Sequence, residues 1–325
     1  MREKFNIINP VAGSGKVALA KKIAAEVGGE IYYTKDENDI ERFVIAQLER
    51  NPYSHFVIYG GDGSLNCGVN GVMKAGCGKT AAITVFSLGS GNDFLHYMNN
   101  EYLPETEAEE FFLDVVEADG KYSINMLNTG FDCDVVIASD KFRNNHHILG
   151  GKFSYTAGVL STLFKKKTFK SNIKLTYENG ETESFSGDWL LIAIGNCPYY
   201  GGGYKAAPLA RPDDGIMDVL LVSDIGRLRF ITAVLKYKSG KHLAENNANA
   251  TKVAIDPKYE DFMIYRRCVK MEYDTAGELC YDGEIYKSGR VDAKVIPAAV
   301  KYIPLDRSRE KNNIEDYSGK AVTAM

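Results

Sequence analysis

The chain has 325 residues, of which 45% are hydrophobic and 25% are charged, and this composition is typical of a soluble globular protein of about two domains. Its formal net charge of -4 excludes the strongly basic character of a general nucleic-acid-binding protein. Six cysteines without a CxxC pair match neither a zinc site nor a disulfide framework, and the lack of about 18 consecutive apolar residues excludes a transmembrane helix.

The first third of the chain alternates between short apolar strands and amphipathic helices. Strands rich in β-branched and aromatic residues are predicted at Phe5–Ile8, Glu30–Tyr33, Phe56–Tyr59 and Ala82–Phe86. Between them, apolar residues recur at helical spacing in Lys16–Val27, in Asp36–Glu49 and in a segment that ends near Lys74. This alternation predicts a parallel sheet that is covered by helices on both faces and binds ligands at the carboxyl ends of its strands.

The pattern changes near residue 122, where strand-like segments follow one another. They are predicted at Ser123–Asn128, Asn172–Tyr177, Trp189–Gly195, Asp218–Val222, Lys252–Ile255 and Val269–Tyr273, and Asn179-Gly180 marks a hairpin. These segments predict an antiparallel β-sandwich, which two helices interrupt at Gly151–Lys167 and about Arg227–Lys238. The predicted domains are 1–122, completed by a strand pair within 293–306, and 123–292, with a flexible tail at 307–325.

Three glycine-rich turns follow predicted strands of the first domain, at residues 13–15, 60–63 and 89–91. Glycine lets the backbone N–H groups of such turns approach an anion closely, so we expect a phosphate site where the turns converge. The first turn is neither a P-loop nor a Rossmann fingerprint, because Pro10 and Ala18 stand where the required glycines belong. Gly78-Lys79-Thr80 ends like a P-loop, but Met73 replaces its first glycine. Asp62, in the second turn, would repel phosphate unless a cation lies beside it.

Six motifs, which occur in the same order, resemble those of the bacterial diacylglycerol kinase family, which groups with sphingosine and ceramide kinases. They are Asn9–Gly15 (NPVAGSG), Gly60–Asn66 (GGDGSLN), Gly89–Phe94 (GSGNDF), Asn128–Asp132 (NTGFD), the run from Gly195 to Asp218 that contains GGG and DGIMD, and Tyr281–Glu284 (YDGE). Ser64 and Ser90 replace the threonines that are usual in the family, and Cys67 stands where a glutamate is common.

The resemblance implies an ATP-dependent lipid kinase, which transfers the γ-phosphate of ATP to a lipid hydroxyl with the help of Mg²⁺ and serves phospholipid metabolism. It implies a three-layer α/β nucleotide-binding domain, like that of NAD kinases and diacylglycerol kinases, followed by a β-sandwich that holds the lipid. The residues that would contact ATP are Asn9, Pro10, Val11, Ala12, Gly13, Thr34, Gly61, Asp62, Gly63, Ser64, Leu65, Asn66, Cys67 and Ser90.

The resemblance also implies the metal ligands and the proton acceptor. Mg²⁺ would lie in the loop that follows the GGG motif, where the implied ligands are the side chain of Asp214 and the backbone carbonyls of Arg211 and Ile216. Asp62 would join the metal through water. The resemblance favours Glu284 as the general base, but the sequence does not separate it from Asp282, and Asp62 is the next candidate.

Two other functions fit part of the pattern. An NAD kinase shares the GGDG turn on a similar first domain. A nucleotide-binding regulator without catalysis would be expected to have lost Asp62, Asp214 or Glu284, and all three are present. The acceptor is left open among diacylglycerol, phosphatidylglycerol, undecaprenol and sphingoid bases, because each of them presents a hydroxyl group.

The N-terminus lacks the long apolar region of a signal peptide, so we expect a cytoplasmic protein. It would reach its lipid by peripheral association with the inner membrane face. Two lysine groups are candidates for that contact: Lys165, Lys166, Lys167 and Lys170, and Lys236, Lys238 and Lys241. The amphipathic stretch before the first group could instead cover the sandwich core or line an acyl-chain cleft. The sequence leaves the oligomeric state open, with a homodimer as the working hypothesis.

Overall fold

The computed structural model describes residues 2–10, 16–36, 38–88, 92–103, 109–145, 162, 168–244 and 250–305. The first part of the chain contains the parallel strands β1 (Lys4–Ile8), β2 (Glu30–Tyr33), β3 (His55–Gly60) and β4 (Ala82–Ser87), in the spatial order β4-β3-β1-β2. Its helices are α1 (Val17–Val27), α2 (Asp39–Leu48), α3 (Asp62–Lys74) and α4 (Asp93–Tyr97), which continues as a π-helical segment (Met98–Tyr102). The predicted alternation of strands and helices is confirmed.

The alternating side chains of β3 explain why helices lie on both sides of the parallel strands. Phe56 and Ile58 pack into a hydrophobic cluster with α2 and α3, whereas Val57 and Tyr59 pack into another cluster with α1. All four side chains are at most 1% exposed. A parallel strand that is buried on both faces has a continuous apolar sequence, as β3 does.

The second part of the chain consists mainly of antiparallel strands. Its elements are β5 (Phe111–Ala118), β6 (Lys121–Ser123), β7 (Met126–Gly130), α5 (Phe131–Asn145), β8 (Phe169–Thr176), β9 (Thr182–Gly195), β10 (Tyr199–Tyr200), β11 (Tyr204–Lys205), β12 (Met217–Ser223), α6 (Arg227–Lys238), β13 (Lys252–Val253), β14 (Met263–Cys268), β15 (Lys270–Tyr281) and β16 (Glu284–Tyr302). β9 pairs with β7, β8 and β12, and the hairpin predicted at Asn179-Gly180 joins β8 to β9. Gly180 has a φ of 82°, which favours glycine there.

The strand pair that the sequence predicts within 293–306 is wrong, because residues 293–302 belong to a single strand. β16 has 19 residues and pairs antiparallel with β15 and β5 and, at its end, parallel with β4. An irregularity between Ile296 and Val300 lets the long strand bend, and Ala298 within it has a φ of 49°. The four parallel strands therefore belong to one continuous sheet with the antiparallel strands, except for β10 and β11, which form a separate pair.

The predicted strand Ser123–Asn128 is also wrong at its centre, because the structure divides it between β6 and β7. The backbone N–H groups of Ile124, Asn125 and Met126 donate to the carboxylate of Asp282 at 2.8 to 3.0 Å. A side chain from a distant part of the chain thus interrupts the strand, and a local sequence pattern carries no sign of it.

Several other predictions concern helices and cysteines. The helix predicted at Gly151–Lys167 lies outside the described residues, apart from Thr162, and so does the predicted tail at 307–325. The helix predicted at about Arg227–Lys238 is confirmed as α6. All six cysteines are free thiols. No helix of the described residues is long and apolar enough to span a membrane.

Candidate active site

The loops after β1, β2 and β3 lie side by side at one edge of the parallel strands. The backbone N–H of Asn9 donates to the carbonyl of Tyr59 at 3.1 Å, and that of Thr34 donates to the carbonyl of Ile8 at 3.1 Å. The side-chain amide of Asn9 donates to the hydroxyl of Ser64 at 3.2 Å. Parallel strands bring their carboxyl ends to the same edge, so three predicted nucleotide residues, Asn9, Thr34 and Ser64, meet there.

The GGDG turn connects β3 to α3, and other side chains lie close to two of its glycines. A Cβ atom at Gly60 would lie 2.4 Å from the side chain of Ser64, and one at Gly63 would lie 2.9 Å from Oε1 of Glu284. The turn leads into a helix of 13 residues whose first residue is Asp62. The N-terminal N–H groups of such a helix favour an anion at this edge of the sheet.

Asp62 joins the second glycine turn to the segment that follows the third. Its two oxygens accept the backbone N–H groups of Asp93 at 2.8 Å and of Phe94 at 3.4 Å, at the start of α4. Burial and the nearby carboxylate of Asp93 raise the pKa of Asp62 to about 7, although these two hydrogen bonds act in the opposite direction. The carboxylate of Asp93 in turn accepts the backbone N–H of Gly202, in the GGG motif, at 2.8 Å. Two carboxylates therefore lie together where three of the motifs meet.

Asp282 ties together three segments that are distant in sequence. Besides the backbone N–H groups of residues 124–126, its carboxylate accepts the hydroxyl of Ser123 at 2.6 Å and the side-chain amide of Asn66 at 2.7 Å. Two carboxylate oxygens offer about four lone pairs, so these five donors occupy all the acceptor positions of Asp282. The turn between β15 and β16 is thereby fastened to α3 and to the connection between β6 and β7.

Glu284 stands on the same turn in a different environment. The register of β15 and β16 pairs Tyr281 with Glu284, so Asp282 and Gly283 form a two-residue hairpin turn. Glu284 is exposed, whereas Asp282 is half-buried. Oε1 of Glu284 lies against the backbone of Gly63. The second part of the chain therefore places one exposed carboxylate at the GGDG turn.

The loop 211–216, in which the resemblance places Mg²⁺, makes its contacts with other residues. The carboxylate of Asp214 accepts the guanidinium N–H of Arg267 and, at 3.1 Å, the backbone N–H of Ile216. Arg211 forms an ion pair with Asp213 at 3.3 Å. These residues do not fit the implied metal site, because Asp214, its only carboxylate ligand, is already paired with the guanidinium of Arg267. Within the part of the chain that the structure describes, no cluster of three or more His, Cys, Asp or Glu side chains is suited to a metal ion.

The other predicted nucleotide residues differ in their surroundings. Pro10 follows Asn9 and is exposed. Leu65 is 1% exposed in the hydrophobic core, and Cys67 packs against that core, so both side chains stabilise the fold. The remaining predicted contacts, Val11, Ala12, Gly13 and Ser90, lie outside the described residues.

The sequence analysis does not identify two aspartates whose side chains hold the loops of the site. Asp93 belongs to the third motif, but the pattern alone suggests no role for its side chain. Asp114, on β5, accepts the backbone N–H groups of Gly215 and Ala298, both at 2.7 Å. The signal for Asp114 is a single charged residue within the apolar run 111–116.

Comparison with known protein families assigns both parts of the chain. Residues 5–119 match the diacylglycerol kinase catalytic domain. Residues 125–303 match the YegS C-terminal NAD kinase beta sandwich-like domain, and this second match covers more than half of the chain. The predicted order of a nucleotide-type domain followed by a sandwich-like domain is confirmed.

Individual relatives extend over most of the chain. A Shewanella frigidimarina protein named "Probable lipid kinase YegS-like" is 26% identical over 272 residues, which are 82% of this chain and 81% of the relative. A Staphylococcus carnosus protein named "Putative lipid kinase" is 25% identical over 260 residues, 78% of each chain. The crystal structure of a diacylglycerol kinase from Bacillus anthracis str. Sterne has a TM-score of 0.63 at 19% identity and covers 94% of this chain and 98% of that chain, so it supports the fold.

Replacing Asp282 with asparagine is expected to destabilise the protein. The change places an NH₂ group opposite N–H donors, so the free energy of unfolding should fall by about 2–4 kcal/mol. Asp292→Asn on β16 is the matched control, because Asp292 is 59% exposed and pairs with Lys270 at 3.0 Å on the surface. Its effect should stay below about 1 kcal/mol. Denaturant unfolding measures both variants, and equally small losses would contradict the connecting role of Asp282.

Proposed function

This chain belongs to the diacylglycerol kinase family in its YegS-like form, and we propose that it transfers the γ-phosphate of ATP to the hydroxyl group of a lipid. The observation that carries the proposal is the contact of the GGDG turn with Glu284, an exposed carboxylate from the other part of the chain. Phosphoryl transfer needs a bound phosphate and a positioned hydroxyl at one point. The names of the relatives support a lipid as the acceptor.

The proposed position of the ATP phosphates is the edge where Asn9, Thr34 and the start of α3 meet. The amide of Asn9 and the hydroxyl of Ser64 lie 3.2 Å apart there and offer polar groups to the nucleotide. The glycines of the GGDG turn allow phosphate oxygens to approach the backbone N–H groups of α3. The contacts implied for Val11, Ala12, Gly13 and Ser90 stay predictions from the resemblance.

Asp62 and Asp93 fit a Mg²⁺ ion that arrives with ATP. Mg²⁺ at such sites is usually held by one or two carboxylates together with phosphate oxygens. Burial and Asp93 raise the pKa of Asp62 to about 7, and a cation beside the two groups would stabilise their ionised forms. When bound, the metal would neutralise charge on the β- and γ-phosphates. The backbone N–H groups of Phe94 and Gly202 keep these two carboxylates in place.

The proposed proton acceptor is Glu284, and Asp282 positions it. A general base must offer a lone pair to the attacking hydroxyl. Asp282 already uses its lone pairs to accept hydrogen bonds from Asn66, Ser123 and residues 124–126. Glu284 is exposed beside Gly63, where a lipid hydroxyl and a phosphate on the GGDG turn can meet.

An assay with labelled ATP and separate acceptors tests the proposed reaction. Diacylglycerol, phosphatidylglycerol, undecaprenol and sphingosine are the lipid acceptors, and NAD tests the alternative of an NAD kinase. Label in a lipid is the expected result. Label in NAD alone would overturn the proposal, and ATP binding without transfer to any acceptor would favour a non-catalytic regulator.

Glu284→Gln should lower transfer to the lipid by about 10²-fold or more, because the general base is lost while the side chain keeps its size. The affinity for ATP should stay unchanged, as measured by equilibrium binding. Glu272→Gln on β15 is the control, because Glu272 lies near Lys270 and pairs across the sheet with Asp292 and Lys174. Full activity of Glu284→Gln would mean that the base lies elsewhere or that a loose transition state needs none.

The proposed membrane contact includes the C-terminal end of α6. Lys236 and Lys238 are exposed on either side of Tyr237, which is buried in the hydrophobic core, and Lys241 follows the helix. Each lysine near an anionic membrane surface contributes about 1 kcal/mol. The other predicted lysine group lies outside the described residues except for Lys170, which is exposed.

Replacing Lys236, Lys238 and Lys241 together with glutamine should weaken binding to vesicles that contain phosphatidylglycerol. A loss of about 3 kcal/mol corresponds to about 10²-fold in affinity at low salt. Lys21, Lys22 and Lys35, exposed in the first part of the chain, provide a control triple variant with the same change in charge. Vesicle co-sedimentation measures both variants, and equal losses would show that only net charge matters.

A further inference from the structure

Arg267 bridges a carboxylate in the loop 211–216 and a carboxylate in the strand that follows it. Asp218 is the direct cross-strand partner of Arg267 on β12 and β14, and Nε of Arg267 lies 3.3 Å from Oδ1 of Asp218. Nη2 of the same guanidinium donates to Oδ2 of Asp214. Asp218 is 0% exposed and the Arg267 side chain is 12% exposed. One buried guanidinium therefore connects the loop to the sheet.

Three carboxylates around this loop accept hydrogen bonds from protein donors. Each oxygen of Asp114, Asp213 and Asp214 accepts a hydrogen bond. The donors are the backbone N–H groups of Ala298 and Gly215 for Asp114, the side chains of Arg211 and Tyr102 for Asp213, and the backbone N–H of Ile216 with Arg267 for Asp214. Two hydrogen bonds leave each carboxylate with spare lone pairs. It is therefore the fixed positive charge of Arg267 on Asp214, and not these hydrogen bonds, that opposes a divalent cation in this loop.

The burial of Asp218 explains why a cation is required at this position. A carboxylate without solvent is unfavourable unless an opposite charge lies beside it. The planar guanidinium of Arg267 reaches two carboxylates at once, which the single ammonium of a lysine does less well. A divalent cation on Asp214 would lie close to the guanidinium, and the two positive charges would repel each other.

The structure assigns Arg267 as the resident cation of the loop 211–216, in the position that the family resemblance gives to a divalent metal. The loop consequently keeps its contacts with Asp114 on β5 without Mg²⁺. Removal of the guanidinium would leave Asp214 and Asp218 available to a metal ion. The inference concerns the loop alone, so it holds whichever substrate the protein phosphorylates.

Thermal unfolding of the full chain, without nucleotide, tests the assignment. Protein treated with EDTA is compared with protein in about 10 mM Mg²⁺ or Ca²⁺, above the dissociation constants of about 10⁻³ M that weak sites show. Wild type and Asp214→Asn should show the same metal-induced shift of the midpoint, because Asp214 binds no metal. A metal bound elsewhere, for example at Asp62, shifts both proteins equally.

Arg267→Met removes the guanidinium and keeps an aliphatic side chain. Its midpoint in EDTA should fall by about 5 °C or more, since a buried carboxylate loses its partner, and Mg²⁺ or Ca²⁺ should restore part of the loss. Arg266→Met is the matched control, because Arg266 directly precedes Arg267 on β14 and pairs with Glu183 at 2.8 Å. This control should gain no response to either metal.

Two results would overturn the assignment. One is a metal-induced stabilisation that wild type shows and Asp214→Asn lacks, because the loop would then bind metal beside Arg267. The other is a folded Arg267→Met variant that responds to neither metal. If Arg267→Met does not fold, the comparison of wild type with Asp214→Asn still decides the question.

Discussion

The carboxylate of Asp282 is the interaction on which the arrangement of this molecule depends. It stands on a turn of the second part, yet it accepts hydrogen bonds from Asn66 on α3 and from the backbone between β6 and β7. Hydrogen bonds to an ionised group contribute about 1.5–3 kcal/mol each, so several of them outweigh the ladder bonds lost where the strand is interrupted. The GGDG helix and the turn that carries Glu284 share this anchor, and their separation is therefore fixed.

Other aspartates at the edge of the sheet also accept hydrogen bonds from the backbone of distant segments. Asp62 accepts backbone N–H groups at the start of α4, Asp93 accepts that of Gly202, and Asp114 accepts those of Gly215 and Ala298. Loops rich in glycine have little side-chain packing of their own, and ordering their backbone costs about 1–2 kcal/mol per residue. Carboxylates aimed at their N–H groups hold such loops in place while leaving the turn surface open to phosphate. The same groups place negative charge near that phosphate, which is why a cation belongs to the proposed reaction.

The sequence patterns predict local features well and long-range contacts poorly. The continuous apolar run of β3 and the Asn179-Gly180 hairpin follow from residue preferences within a few positions, and both are confirmed. The break at Ile124 depends on a side chain 158 residues away. The partner of Asp214 is Arg267, which stands 53 positions further along a strand whose sequence gives no sign of the contact. Motifs therefore point to a candidate site, whereas the pairing of its charges requires the structure.

The turn Asp282-Gly283 shows how a structural feature and a functional one arise from the same residues. Asp282 has a φ of 50° and Gly283 a φ of 100°, and two consecutive left-handed residues form the tight hairpin for which Asp-Gly is the preferred sequence. Such a turn sends the side chains on and after it in different directions. Asp282 reaches inward to residues 124–126, and Glu284 lies beside Gly63. The motif can therefore be both a structural turn and part of the proposed catalytic site, because the turn geometry separates Asp282, which anchors it, from Glu284, which is exposed.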